Sequence, residues 1–149
     1  MKLAEALQER ADLNRKLKQL SNRLELNALV QEGEKPAEDP KELLAEFDSC
    51  IARLEELAGS INLVNCRTLI EGRTLTELLA RRDSLTLKLR TYQNFLSEAS
   101  QTAHRAMRTE IKIMSTVDVR KTQKAVDALA KELRELDNKI QAANWATEL

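Results

Sequence analysis

Arg10, Asn27, Asn65 and Arg82 stand where an apolar heptad pattern asks for leucine. A guanidinium in a helical seam is costly unless a carboxylate, an amide or a bound anion compensates it. A lone buried Asn commonly fixes register or oligomer state. Counting levels along antiparallel helices places Arg10 opposite residues 60–62 and Arg82 at the same level. The last helix contributes residues 135–137 there. The expected polar layer is Arg10, Asn62, Asn65, Arg82, Asp83 and Asp137, with Asp12 as a further acidic candidate. It serves either as a structural register device or as a site for a small molecule or anion.

A second set of groups lies on the connections between helices. Glu32, Glu34 and Asp39 make the first long connection acidic, and His104, Arg108 and Lys112 make the second basic. An up-down bundle brings these connections to one end, where they either pair in charge or form a binding surface.

Other chemistries fail on spacing. A di-iron bundle needs Glu-x-x-His, and the lone His104 has Gln101 three residues earlier. One histidine without helical ligand spacing is a poor metal site. Glu132 and Glu135 form one Glu-x-x-Glu without a partner motif and read as a solvated face. No phosphate-binding glycine loop, Cys-x-x-Cys or nucleophile elbow occurs. Cys50 and Cys66 lie on one predicted helix, separated by roughly 24 Å at ~1.5 Å rise per residue. They are expected to be buried, unbridged thiols. Trp145 is expected to plug a bundle end.

The elements that would position these groups are four long helices. The first spans about Lys2 to Leu29, with Leu3, Leu17 and Leu24 on one row and Ala6, Leu13 and Leu20 on the other. Asp39 as N-cap and Pro40 at the first helical position begin the second, which runs to Thr68. Its rows are Leu44/Ile51/Ala58/Asn65, Phe47/Leu54/Ile61/Thr68 and a third, Leu43/Cys50/Leu57/Val64. So wide a stripe implies deep burial or a second subunit. Ile70–Arg73 is a tight turn, and Thr74 with Glu77 forms a capping box for the third helix, which ends near Glu98. Glu110–Val117 alternates like a short strand. It is expected to pair with Leu29–Glu34 or with another subunit. Thr116 or Asp118 caps the fourth helix, which runs to about Asn144.

The composition agrees. Of 149 residues, 32% are charged and 3% aromatic, as in long charge-faced helices. Twenty-four basic and 24 acidic side chains cancel, which argues against a nucleic-acid binder. No apolar run is long enough to span a membrane, and Glu5, Glu9 and Arg10 fall where a signal peptide needs apolar residues. A cytoplasmic location is expected.

The chain resembles a family of small bacterial helical proteins, some of whose members carry the label septicolysin. The resemblance rests on the opening residues 1–7, the loop VQEGEKPAEDP, LTELLARRDSL from Leu75, EIK at Glu110 followed by STVDV, and the ending NWATEL. It spans the whole chain and implies a helical bundle without an established activity. The label implies membrane lysis, yet the sequence shows neither an apolar hairpin nor a basic amphipathic face.

The sequence thus predicts an all-α, antiparallel up-down-up-down four-helix bundle over residues 1–149, with a short extended segment near 110–117. The expected role is non-enzymatic protein association, most simply as a homo-oligomer, with no cofactor, nucleic acid or membrane partner. Binding of a small ligand or anion at the polar layer is the alternative, and membrane activity a third.

Overall fold

The computed structural model describes residues 1–102 and 111–149. The protein is all-α. Its elements are α1 (Leu3–Leu26), α2 (Pro40–Arg67), β1 (Leu69–Ile70), β2 (Arg73–Thr74), α3 (Leu75–Ala99) and α4 (Val119–Ala146). The chain divides into two compact units, Met1–Ile70 with Ala143–Leu149, and Glu71–Ala142.

In the first unit α1 and α2 run antiparallel. Their outer edges carry a ladder of ion pairs with heptad spacing: Glu9 with Arg53, Lys16 with Glu46, and Arg23 with Glu38. Each step of seven residues along α1 meets a step of seven or eight back towards the start of α2. Such flanking charges set partner and orientation in coiled coils. Beneath the ladder Leu17, Leu20, Leu43 and Cys50 are buried, with Leu13, Leu24, Phe47 and Leu54 packed against them. Full burial of one such side chain stabilises by about 1.5–3 kcal/mol.

Local signals set the ends of the helices. Asp39 accepts the Lys41 amide at 2.9 Å, and Pro40 follows as the first helical residue. α1 stops at Leu26, three residues short of expectation, because the Asn27 side chain takes over the backbone there. The two chain termini join this unit as well. The Leu3 amide donates to the Thr147 carbonyl, and the Leu149 amide to the Met1 carbonyl, each at 2.9 Å.

Between α2 and α3 the chain makes a two-residue hairpin. Glu71 and Gly72 both have positive φ, 50° and 82°, the backbone that a type I′ turn requires. Thr74 then caps α3: its Oγ1 accepts the Glu77 amide at 3.2 Å, while Glu77 accepts the Thr74 amide at 2.7 Å.

In the second unit α3 and α4 are antiparallel. Glu71 pairs with Lys139, Arg81 with Glu132, and Tyr92 lies across from Thr122. Leu78, Leu85, Leu96, Val126, Leu129 and Leu136 are buried. Asp118 caps α4 by accepting the Lys121 amide at 3.2 Å.

Several expectations need correction. The two-stranded sheet lies at residues 69–74, whereas residues 111–117 carry no strand. Glu110 lies outside the described residues. β-branched residues favour a strand only where an edge is offered, and Leu29–Glu34 instead makes a turn, with the Glu34 amide on the Gln31 carbonyl at 3.0 Å. On α2 Leu43, Cys50, Leu57 and Val64 are buried together with Ile61, while Leu44 and Ile51 stay exposed. Cys66 is exposed, unlike buried Cys50. Trp145 is exposed and plugs nothing.

Candidate functional site

Asn27 is the polar stripe residue whose role the structure makes plainest. It is only 9% exposed. Its Nδ2 donates to the Arg23 carbonyl at 2.8 Å, and its Oδ1 accepts the Glu38 amide at 3.0 Å. One amide side chain thus closes the end of α1 and anchors the returning loop. Arg23 completes the clamp by donating from Nε to Glu38 Oε2 at 2.9 Å. Glu38 of the acidic connection therefore finds its counter-charge within its own hairpin. Arg23, Glu38, Asp39, Glu42 and Glu46 line a polar recess beside it. The ladder shifts titration as charge pairing must. The Arg53 guanidinium holds the Glu9 carboxyl below the usual carboxylate range, Arg23 does the same to Glu38, and Lys16 to Glu46. Glu46 in turn raises the Lys16 ammonium.

The expected polar layer divides between the units. Arg10, Asn62 and Asn65 belong to the first, and Arg82, Asp83 and Asp137 to the second. The structure brings Arg82 and Asp83 together, with Nε and Nη2 at 3.2 and 3.1 Å from Asp83 Oδ1. The Arg82 side chain is 34% exposed. Arg10, Asn65 and Asp137 are half-buried and Asn62 is exposed. Of the loop-end residues, Glu32, Glu34 and Lys112 are exposed and Asp39 caps α2. His104 and Arg108 lie outside the described residues. Among the described residues no group of His, Cys, Asp and Glu is arranged to hold a metal ion.

A feature missed in the sequence is an apolar groove between the end of α3 and the start of α4. It has a volume of about 590 Å³ and is lined by Thr91, Tyr92, Phe95, Lys121, Thr122 and Ala125. Tyr92 is 38% and Phe95 47% exposed. The Lys88 ammonium lies 5.7 Å from the Tyr92 ring centroid, within cation–π range. Phe95 also borders a second hollow with Ile113 and Met114. The signal was present in the sequence: two of its four aromatics sit three residues apart on α3. Tyr92 continues the heptad row of Leu78 and Leu85, whereas Phe95 stands outside it.

Comparison with known proteins gives a relative of unknown function. The chain is 41% identical to a crystal structure described as that of a functionally unknown conserved protein from Corynebacterium diphtheriae, with a TM-score of 0.94. The likeness covers 100% of this chain and 98% of that one. No curated protein matches. Among the described residues, no helix is long and apolar enough to cross a membrane. A family model matches residues 10–149, and the chain belongs to that family of unknown function, DUF6847.

Proposed function

We propose that this protein acts by protein association, as a homo-oligomer without catalysis of its own. The supporting observation is the exposed apolar surface of the second unit, where Tyr92 and Phe95 open a groove and Ile113 and Met114 remain exposed beside it. Contiguous apolar surface of this kind marks an interaction site. Sedimentation of the full chain at micromolar concentration tests the reading: reversible association supports it, and a strict monomer refutes it.

A second reading, a small ligand in the same groove, is favoured by a volume within the usual range for ligand pockets, roughly 300–1,000 Å³. It predicts a ligand-dependent rise in melting temperature, because a ligand that binds only the native state stabilises it by mass action.

A further inference from the structure

The zero net charge of the chain hides a division. The first unit carries ten basic and 14 acidic side chains, and the second carries 14 and ten. The imbalance shows at the connected end of each hairpin. Lys121 lines the Tyr92–Phe95 groove and Lys88 stands over its tyrosine. Arg120 and Lys124 are exposed on the first turns of α4. The α1–α2 connection has the opposite character. Leu26, Leu29 and Val30 are 81%, 90% and 50% exposed, and the exposed Glu32 and Glu34 follow them directly.

This connection is an apolar knob with an acidic flank, and it is built rather than loose. Gly33 with φ 83° and the Glu34-to-Gln31 hydrogen bond close its turn. Asn27 and the Arg23–Glu38 pair hold its two feet. Ordering it before contact reduces what association costs in entropy. The groove offers what such a knob lacks, namely aromatic surface to cover the leucine and ammonium groups to meet the glutamates.

We propose that the groove of one copy receives residues 29–34 of a second copy, Leu29 and Val30 entering between Tyr92 and Phe95 while Glu32 and Glu34 face Lys88 and Lys121. This rests on the association reading above and names the surfaces it uses. Each contact joins the groove of one copy to the knob of the other, so a singly joined pair keeps one free groove and one free knob. Two reciprocal contacts close a dimer, and single contacts continue to a larger ring or a filament. Salt weakens it, because the charges that meet are exposed before contact.

The test uses two full-length variants, Phe95→Lys in the groove and Leu29→Lys on the knob, both at exposed positions. Sedimentation is expected to show each variant alone as a monomer, with its association constant lowered about tenfold or more by loss of one apolar anchor. Mixed one to one, they are expected to form a heterodimer and nothing larger, since one supplies an intact groove and the other an intact knob. Should Phe95→Lys lose helical content, the charge pair Lys121→Glu and Glu34→Lys replaces it: each change abolishes assembly and the double variant restores it. A wild-type chain that assembles while both variants still assemble, or while their mixture stays monomeric, overturns this pairing and leaves the association reading standing. A wild-type chain that is monomeric overturns both.

Discussion

Replacing Asn27 by alanine removes two hydrogen bonds from a site that is 9% exposed. The Arg23 carbonyl keeps one partner, the Asn27 amide at 3.1 Å, so its loss is small. Among the described residues the Glu38 amide has only the Asn27 oxygen, at 3.0 Å. A net hydrogen bond contributes about 0.5–1.5 kcal/mol, and a buried donor left unsatisfied costs about 1–3 kcal/mol. The expected destabilisation is therefore about 2 kcal/mol. At roughly 2–4 °C per kcal/mol for a chain of this size, the melting temperature should fall by about 4–8 °C. Urea melts at constant slope measure the energy, and amide exchange locates it: the Glu38 amide should exchange much faster while amides in the middle of α3 stay unchanged. Asn27→Asp keeps the acceptor for Glu38 and loses only the donor to Arg23, so it should fall between wild type and alanine. A loss below about 0.5 kcal/mol for Asn27→Ala, the range of ordinary surface changes, would refute the clamp.

Acid should weaken the first unit through its ladder. Glu9, Glu38, Glu46 and Glu148 all have lowered pKa values in the folded state; the unfolded chain binds protons first, so stability is full above the usual carboxylate range and declines as pH falls through the folded values. Urea melts from neutral to acidic pH should show this decline, and Glu9→Gln with Glu46→Gln should flatten it; an unchanged slope would count against the ladder. Glu71 occupies φ 50°, which suits Asn far better than Glu, while its carboxylate makes an exposed ion pair with Lys139. Glu71→Asn should thus raise stability by up to about 1 kcal/mol, since a left-handed non-glycine residue costs about 1–2 kcal/mol and a surface pair contributes about 0.2–1 kcal/mol; a loss in the urea midpoint would show the pair to be the stronger effect.

What the sequence made legible was local. Asp39–Pro40, Thr74 with Glu77, and Asp118 each mark a helix start through a bond made within three residues, and each forms as expected. The choice among the three apolar rows of α2 was not local, because it depends on which neighbour the helix meets. Leu43 and Leu44 are equally apolar, and it is Leu43 that packs with Leu17 and Leu20 of α1, beside the ladder of ion pairs. That ladder was present as charges spaced by seven, but its significance needed the antiparallel register. Asn27 was recognised as a stripe residue, while its bond to Glu38 spans a loop whose path no periodicity describes. The strand expected near residue 113 failed for the same reason, since a strand is a property of two segments. Tyr92 shows the converse: a residue can satisfy a heptad and still remain at the surface.

The bridge between Lys2 and Glu148 has a topological consequence. With the Leu149 amide on the Met1 carbonyl at 2.9 Å and the Met1 ammonium on Glu148 at 3.2 Å, the backbone returns to its own starting point. The covalent path is an open ring whose two ends lie side by side. A few glycines between the two ends would close it without moving either helix. New ends could then be opened at Lys35, in the exposed stretch between Gly33 and Glu38, so that α2 would come first and α1 last. Such a circular permutant should fold to the same helices, because none of the contacts described depends on which residue the ribosome adds first.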